Sequence, residues 1–234
     1  MQHYELICFD LDGTLVDTAG EIAEGVNRAL QEHGLARRPL AEITLLIGAG
    51  TRELMLRLLA RIFHERPDLS ERVQVDAVLA SLDRHYALTS GSSAMVYAGA
   101  REALRRLRAA GVKTACVSNK ELRHARALLR ATRLEDEFDL LIGGDSLAHK
   151  KPHASVLRHV AQRLGVSTAR SAHVGDSQID VEAARNAGLA AWAVPYGYNG
   201  GMPIAQAGPQ RIFADLQELA SHVLEPAIIQ TRSA

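Results

Sequence analysis

The stretch Tyr4-Glu5-Leu6-Ile7-Cys8-Phe9-Asp10-Leu11-Asp12-Gly13-Thr14 opens on an apolar run and ends in two aspartates and a glycine. Residues 4–9 are too few for a helix, and their near-continuous apolar character is that of a buried strand. Asp-x-Asp-Gly cuts the strand off and leaves two carboxylates at its carboxyl end.

Working outward, residues 18–34 show helical spacing, with Ile22, Val26, Ala29 and Leu30 on one face and Gly34 past the end. Residues 51–65 and 71–88 read as two more amphipathic helices, and no convincing strand lies between 35 and 90. From about residue 96 the pattern changes. Helices at 100–110, 121–131, 153–164, 178–187 and 215–224 alternate with strands at 113–117, 139–142, 171–174, 189–194 and 211–213. That alternation implies a parallel sheet covered by helices on both faces. The expected fold class is therefore α/β: a core of residues 1–16 and 96–234, split by an all-helical insert at 17–95. Joints for the insert are expected near 16–20 and 89–97, and 197–210, rich in Gly and Pro, should form a long loop near the end of the sheet.

The bulk properties exclude several function classes. A chain of 234 residues, 47% apolar and 23% charged, has ample material for a core. Lys plus Arg equals Asp plus Glu, so the net charge is zero and no nucleic-acid partner is expected. The arginines at 105, 106 and 108 and at 123, 126 and 130 read as solvated helix faces. Cys8 and Cys116 each sit in an apolar run without CxxC spacing, which suggests buried thiols rather than a disulfide or zinc site. No signal-peptide pattern is visible, and no run of about 18 apolar residues exists, so the expectation is a cytoplasmic protein with no membrane partner.

In open parallel sheets, ligands bind at the carboxyl ends of the strands. Asp10-Leu11-Asp12-Gly13-Thr14 follows the first strand and Ser118-Asn119-Lys120 the second. Gly143-Gly144-Asp145 and then Lys151-Pro152 follow the third, and Gly175-Asp176-Ser177 with Asp180 the fourth. Carboxylates, a hydroxyl and an ammonium on one edge suit phosphoryl transfer with a divalent metal. A phosphate monoester is dianionic and repels nucleophiles, so the site must supply positive charge and positioning. Magnesium takes oxygen ligands and usually only one or two carboxylates, which Asp10 and Asp176 can provide. Lys151 adds a point charge, and Ser118 a hydroxyl beside amides at a helix start. Crowding of Asp10 and Asp12 tends to separate their pKa values, which would leave one carboxyl protonated as a general acid.

These four motifs, in this order and each after an expected strand, resemble the haloacid dehalogenase superfamily of aspartate-nucleophile phosphatases over essentially the whole chain. The resemblance implies a Rossmann-like core with an all-helical cap domain. It implies Asp10 as the nucleophile and Asp12 as the acid–base group. It also implies Mg2+ bound by Asp10, Asp176 and the Asp12 carbonyl, and a phosphoryl group held by Ser118, Asn119 and Lys151. Thr14 and Asp180 are expected just behind the ligands, Asp180 orienting a metal-bound water or Lys151. Lys150 lacks the position before proline and is expected to be a bystander. Within the superfamily the pattern is most similar to phosphoglycolate phosphatases, in residues 10–17, 47–50, 143–145, 150–153 and 196–199. An acid at Asp12 favours phosphate esters. Ile22, where sugar-phosphate mutases carry a histidine, counts against a mutase.

Other readings compete at particular residues. Asp10-x-Asp12-Gly13 resembles the start of a calcium loop, but Gly13 comes too early. Gly-x-Ser-x-Gly is absent, so Ser118 is not set in a hydrolase elbow. Thr51 reads either as an N-cap after Gly48-Ala49-Gly50 or as part of a loop over the site, with Arg52 reaching a second anionic group of the substrate. Residues 196–199 read equally as site lining or loop packing. The expected substrate is a small phosphorylated metabolite, 2-phosphoglycolate first, or else an amino-sugar phosphate, a nucleotide or pyrophosphate. A non-catalytic binding protein on the same fold is the remaining alternative. The chain is expected to act as a monomer or homodimer.

Overall fold

In the computed structural model, which describes residues 4–225, Leu6–Phe9 forms β1 and its alternate side chains enter two different cores. Ile7 and Phe9 join one apolar cluster and Leu6 and Cys8 the other, as period-two geometry requires of a strand covered on both faces. The chain then runs through β2 (Val16–Asp17), α1 (Ala19–Glu32), α2 (Leu40–Thr44), α3 (Thr51–Glu65), α4 (Val75–Thr89) and β3 (Met95–Val96). It continues through α5 (Ala100–Ala109), β4 (Lys113–Val117), α6 (Leu122–Ala131), β5 (Leu140–Ile142), α7 (Ala154–Arg163) and β6 (Ser171–Gly175). The last elements are α8 (Gln178–Ala187), β7 (Ala190–Ala193), β8 (Arg211–Ile212) and α9 (Leu216–Leu224).

The sheet order is β5-β4-β1-β6-β7-β8, with every pairing parallel. β1 is central, and the chain winds outward from it first on the β4 side and then on the β6 side. The carboxyl ends of β4, β1 and β6 therefore meet at the topological switch point. Leu104, Leu128 and Leu219 from α5, α6 and α9 cover one face of the sheet, while Val160 and Val181 from α7 and α8 cover the other. The helical insert has its own core, in which α1 packs against α4 through Val26, Leu30, Val78 and Leu82 while Leu54 and Leu58 of α3 complete it.

The cap leaves and rejoins the core at one place. β2 and β3 pair antiparallel, Val16 opposite Val96 and Asp17 opposite Met95. Two-residue strands carry no readable periodicity, and the sequence reading placed only joints here. The short helix α2 was missed for the same reason. Thr51 is not the N-cap of α3: Gly50 holds that position at φ 94°, and Thr51 is the first helical residue. The terminal residues 1–3 and 226–234 of the expected core lie outside the described residues.

Candidate active site

Each side chain of the site is set by the turn that ends a strand. The Asp10 amide donates to Val174 O at 2.9 Å, so β6 fixes where β1 stops and where the first aspartate emerges. The Ser118 amide donates to Ile142 O at 2.9 Å, which ties the end of β4 to β5 in the same way. Oxygens of Asp10, Asp176 and Asp180 lie within 4.8 Å of one another, all three residues buried.

Asp180 does not have a free carboxylate to give. Its Oδ1 accepts from Lys151 Nζ at 2.7 Å and lies 3.1 Å from His173 Nε2, while Oδ2 accepts from the Ser177 amide at 3.1 Å and its hydroxyl at 2.5 Å. Ser177 and Asp180 thereby form a capping box on α8, which fixes the carboxylate rotamer. Burial alone would raise the Asp180 pKa, but Lys151 and His173 outweigh it and hold the group well below the usual carboxylate range. Asp180 thus positions Lys151, whose ammonium also donates to Asp10 Oδ1 at 2.8 Å.

Asp10 and Asp176 behave oppositely. Burial, only partly offset by Lys151, pushes Asp10 up to about 7, and burial with the charges of Asp10 and Asp180 raises Asp176 well above its ordinary value. Two buried carboxylates raised by burial and repulsion are a donor set short of positive charge, and hard oxygen donors of this kind fit a divalent cation. Thr14 Oγ1 donates to Asp176 Oδ1 at 2.7 Å, and the Tyr198 amide donates to Oδ2 at 2.5 Å. Asp10 and Asp176 are thus pushed up while Asp180, paired with Lys151 and His173, is held down. Asp12 accepts from Thr18 Oγ1 at 2.7 Å through Oδ1, which also lies 2.8 Å from Lys120 Nζ.

The Ser118 side chain is buried beside Asp10, and its Oγ accepts from the Lys120 amide at 3.2 Å. Asn119 has its side-chain amide engaged within the protein. Its Nδ2 donates to Gly48 O at 3.1 Å and Lys151 O at 3.0 Å, so its side-chain donors bind the cap loop and the motif lysine. What Asn119 offers an anion is its backbone N–H, which has no partner among the described residues.

The loop before α3 is docked on this edge. Lys150 Nζ donates to Ala49 O at 2.6 Å, and Thr51 Oγ1 donates to Glu121 at 3.0 Å. A Cβ on Gly50 would stand 2.7 Å from Asn119 O, so only glycine permits this approach. The docked loop leaves a small cavity, with about 20 Å³ open to water, lined by Asp10, Asp12, Ser118 and Lys120 below and Ile22, Ile47 and Leu54 above. Arg52 is exposed and lines a different cleft with Asp76, Asp83, Glu121 and Arg123.

Sequence reasoning missed three contributors. Lys120 and His173 are fully or almost fully buried ionisable groups whose partners, Asp12 and Asp180, are remote or on the next element. Tyr198 sits in the stretch 196–199, and its hydroxyl accepts from the Thr18 and Ala19 amides at 2.7 and 2.9 Å. A buried charge inside an apolar strand or motif was the available signal.

The model of the haloacid dehalogenase-like hydrolase family matches residues 4–188. Among curated relatives, the plasmid phosphoglycolate phosphatase of Cupriavidus necator is 38% identical over 221 residues, covering 94% of this chain and 93% of its own. The phosphoglycolate phosphatase of Nitrosospira multiformis is 39% identical over 212 residues, covering 91% and 92% respectively. The crystal structure of a predicted phosphoglycolate phosphatase from Haemophilus somnus superposes with a TM-score of 0.87 at 30% identity, covering 95% of this chain and 99% of that one.

Proposed function

The chain belongs to the haloacid dehalogenase-like hydrolases, and on that premise we propose that it is a magnesium-dependent phosphatase of small monoesters, with 2-phosphoglycolate as its substrate. The observation that carries this reading is the convergence of Asp10, Asp176 and Asp180 within 4.8 Å, with Lys151 bonded to the first and third. A magnesium ion held by Asp10, Asp176 and the Asp12 carbonyl would draw off charge from the phosphoryl oxygens and hold them for in-line attack.

The residues divide the work as follows. Lys151 keeps the Asp10 carboxylate oriented through Oδ1 and opposes the charge that gathers on phosphorus. An Asp10 oxygen attacks phosphorus, the P–O bond to the alcohol breaks, and Asp12 gives its proton to the departing oxygen. Water then attacks the aspartyl phosphate, Asp12 takes a proton from it, and phosphate leaves with Asp10 restored. Ser118 Oγ and the Asn119 N–H bind the phosphoryl oxygens. Ile22, Ile47 and Leu54 exclude water from above and offer no second acid–base group.

Residues 17–95 are read as a cap that moves on residues 1–16 and 96–234, opening to exchange substrate and product. The cavity suits a compact ester better than a nucleotide. The protein is read as a monomer or a homodimer of the cytoplasm. No helix among the described residues is long and apolar enough to cross a membrane. A screen of small phosphate esters with and without magnesium, ranked by kcat/KM, tests the proposal. It expects 2-phosphoglycolate at the head and no turnover in EDTA; a preference for a larger ester, or full activity in EDTA, would refute it.

A further inference from the structure

The cavity holds a cation that phosphoryl transfer alone does not use. Lys120 follows Ser118 and Asn119 at the end of β4, with its side chain 1% exposed. Its Nζ lies 2.8 Å from Asp12 Oδ1, contacts the hydroxyl of Tyr86 and sits 4.8 Å from the centre of that ring. Among the described residues, Lys120 is the only cationic side chain lining the cavity over Asp10.

Resting on the reading of the substrate as 2-phosphoglycolate, we propose that Lys120 is the specificity-determining residue, its ammonium receiving the substrate carboxylate. Asp12 can protonate the leaving oxygen only from about 3 Å away. In 2-phosphoglycolate the carboxylate is joined to that oxygen through a single methylene. An ammonium 2.8 Å from Asp12 is therefore within reach of it. A lysine ammonium carries three donors, and Asp12 and Tyr86 account for two among the described residues. The third remains for an anion inside the cavity, where removal from water makes the pairing strong.

Two further observations favour Lys120 for this task. Arg52 is exposed in a cleft with Asp76, Asp83 and Glu121 and does not line the cavity over Asp10. Tyr86 comes from α4 of the cap, so the carboxylate subsite is complete only when the cap is packed down on the core. Substrate charge and cap closure would then be read by one residue.

The test compares 2-phosphoglycolate with ethyl phosphate, which keeps the two-carbon chain and lacks the carboxylate. It is run on the wild-type protein, Lys120→Met and Lys120→Gln, all with saturating magnesium. The readout is the ratio of the two kcat/KM values on each protein, so an incompletely folded fraction cancels. Wild type should favour 2-phosphoglycolate strongly, and both variants should lose about 100-fold of that ratio with a raised KM for 2-phosphoglycolate. If both substrates slow equally and the ratio survives, Lys120 only holds Asp12 and this proposal is overturned while the substrate reading stands. If wild type shows no preference for 2-phosphoglycolate, the substrate reading fails first and takes the Lys120 assignment with it.

Discussion

Tyr198 donates its phenolic hydrogen to Asp17 Oδ1 at 2.5 Å, joining the loop that follows β7 to the residue where the cap departs. The Tyr198 hydroxyl oxygen accepts from the Thr18 and Ala19 amides, and the Tyr198 amide donates to Asp176. One residue thus links the metal-site carboxylate to the first joint of the cap.

Tyr198→Phe removes the hydroxyl and leaves the buried Thr18 amide at the start of α1 unsatisfied, while Ala19 keeps Asp17 Oδ1 at 3.3 Å. That loss costs about 1–3 kcal/mol. At about 2–4 °C per kcal/mol for a chain of this size, Tm should fall by roughly 3–10 °C. Thermal melts measured by circular dichroism check this. A Tm within one degree of wild type, roughly the precision of such melts, would show that water replaces the hydroxyl at no cost.

The cap loop should tolerate little change at Gly50. Alanine there would need a positive φ and a shift of Asn119 O, so the closed arrangement should be lost while the open protein still folds. We expect Gly50→Ala to lower kcat/KM by at least about 10-fold, the effect of roughly 1.4 kcal/mol, with little change in Tm. A large fall in Tm with intact activity would place the cost in folding instead.

Breaking the charge cluster should be more severe. Asp180→Asn keeps the shape but withdraws a buried charge from Lys151 and the acceptor from the Ser177 turn. The expected cost is about 3–5 kcal/mol of stability, read by urea unfolding, together with a large loss of kcat. Unchanged stability would mean that Asp10 alone satisfies Lys151.

Magnesium should stabilise the protein more at pH 8 than at pH 5.5. Without a cation, burial pushes Asp10 in the folded protein from its ordinary 3.8 up to about 7, and Asp176 is likewise raised. The unfolded chain therefore ionises first, and the apo-protein loses stability as pH rises from about 4 to about 7. A bound cation removes that loss by replacing the proton. Asp180 has the opposite sign, but its contribution is lost only below its unfolded value of 3.8. His173, held below 6.5 by burial, weakens both forms alike as pH falls and cancels in the difference. Differential scanning fluorimetry with saturating magnesium or EDTA at the two pH values measures the effect. A larger increment at pH 5.5 would contradict the assignment of Asp10 and Asp176 as the ligands.

Much of this architecture was legible because apolar periodicity and strand-end punctuation are local signals. The helices at Thr51–Glu65 and Gln178–Ala187 match their expected ranges, and most other ends differ by a residue or two, where frayed turns carry little information. The helix expected at 71–88 begins only at Val75, after a turn at Pro67–Leu69. What escaped was long-range. The β2–β3 pair is two residues per strand, Lys120 finds Asp12 and Tyr86 only through the fold, and Asn119 turns its amide toward Gly48 because α3 arrives there. Arg52 looked suited to an anion from its glycine-rich approach, but helical geometry turns it into the neighbouring cleft.

Asp12→Asn protein mixed with acetyl phosphate and magnesium, quenched in acid and analysed by mass spectrometry, tests covalent catalysis most directly. Acetate needs no proton to leave, so loss of the acid should not prevent formation of the phosphoenzyme, while loss of the base should slow its hydrolysis. The expected result is one added phosphoryl group on the peptide that carries Asp10, absent when Asp10→Asn is introduced as well. Phosphorylation of another residue, or turnover that survives Asp10→Asn in the otherwise wild-type chain, would contradict the account.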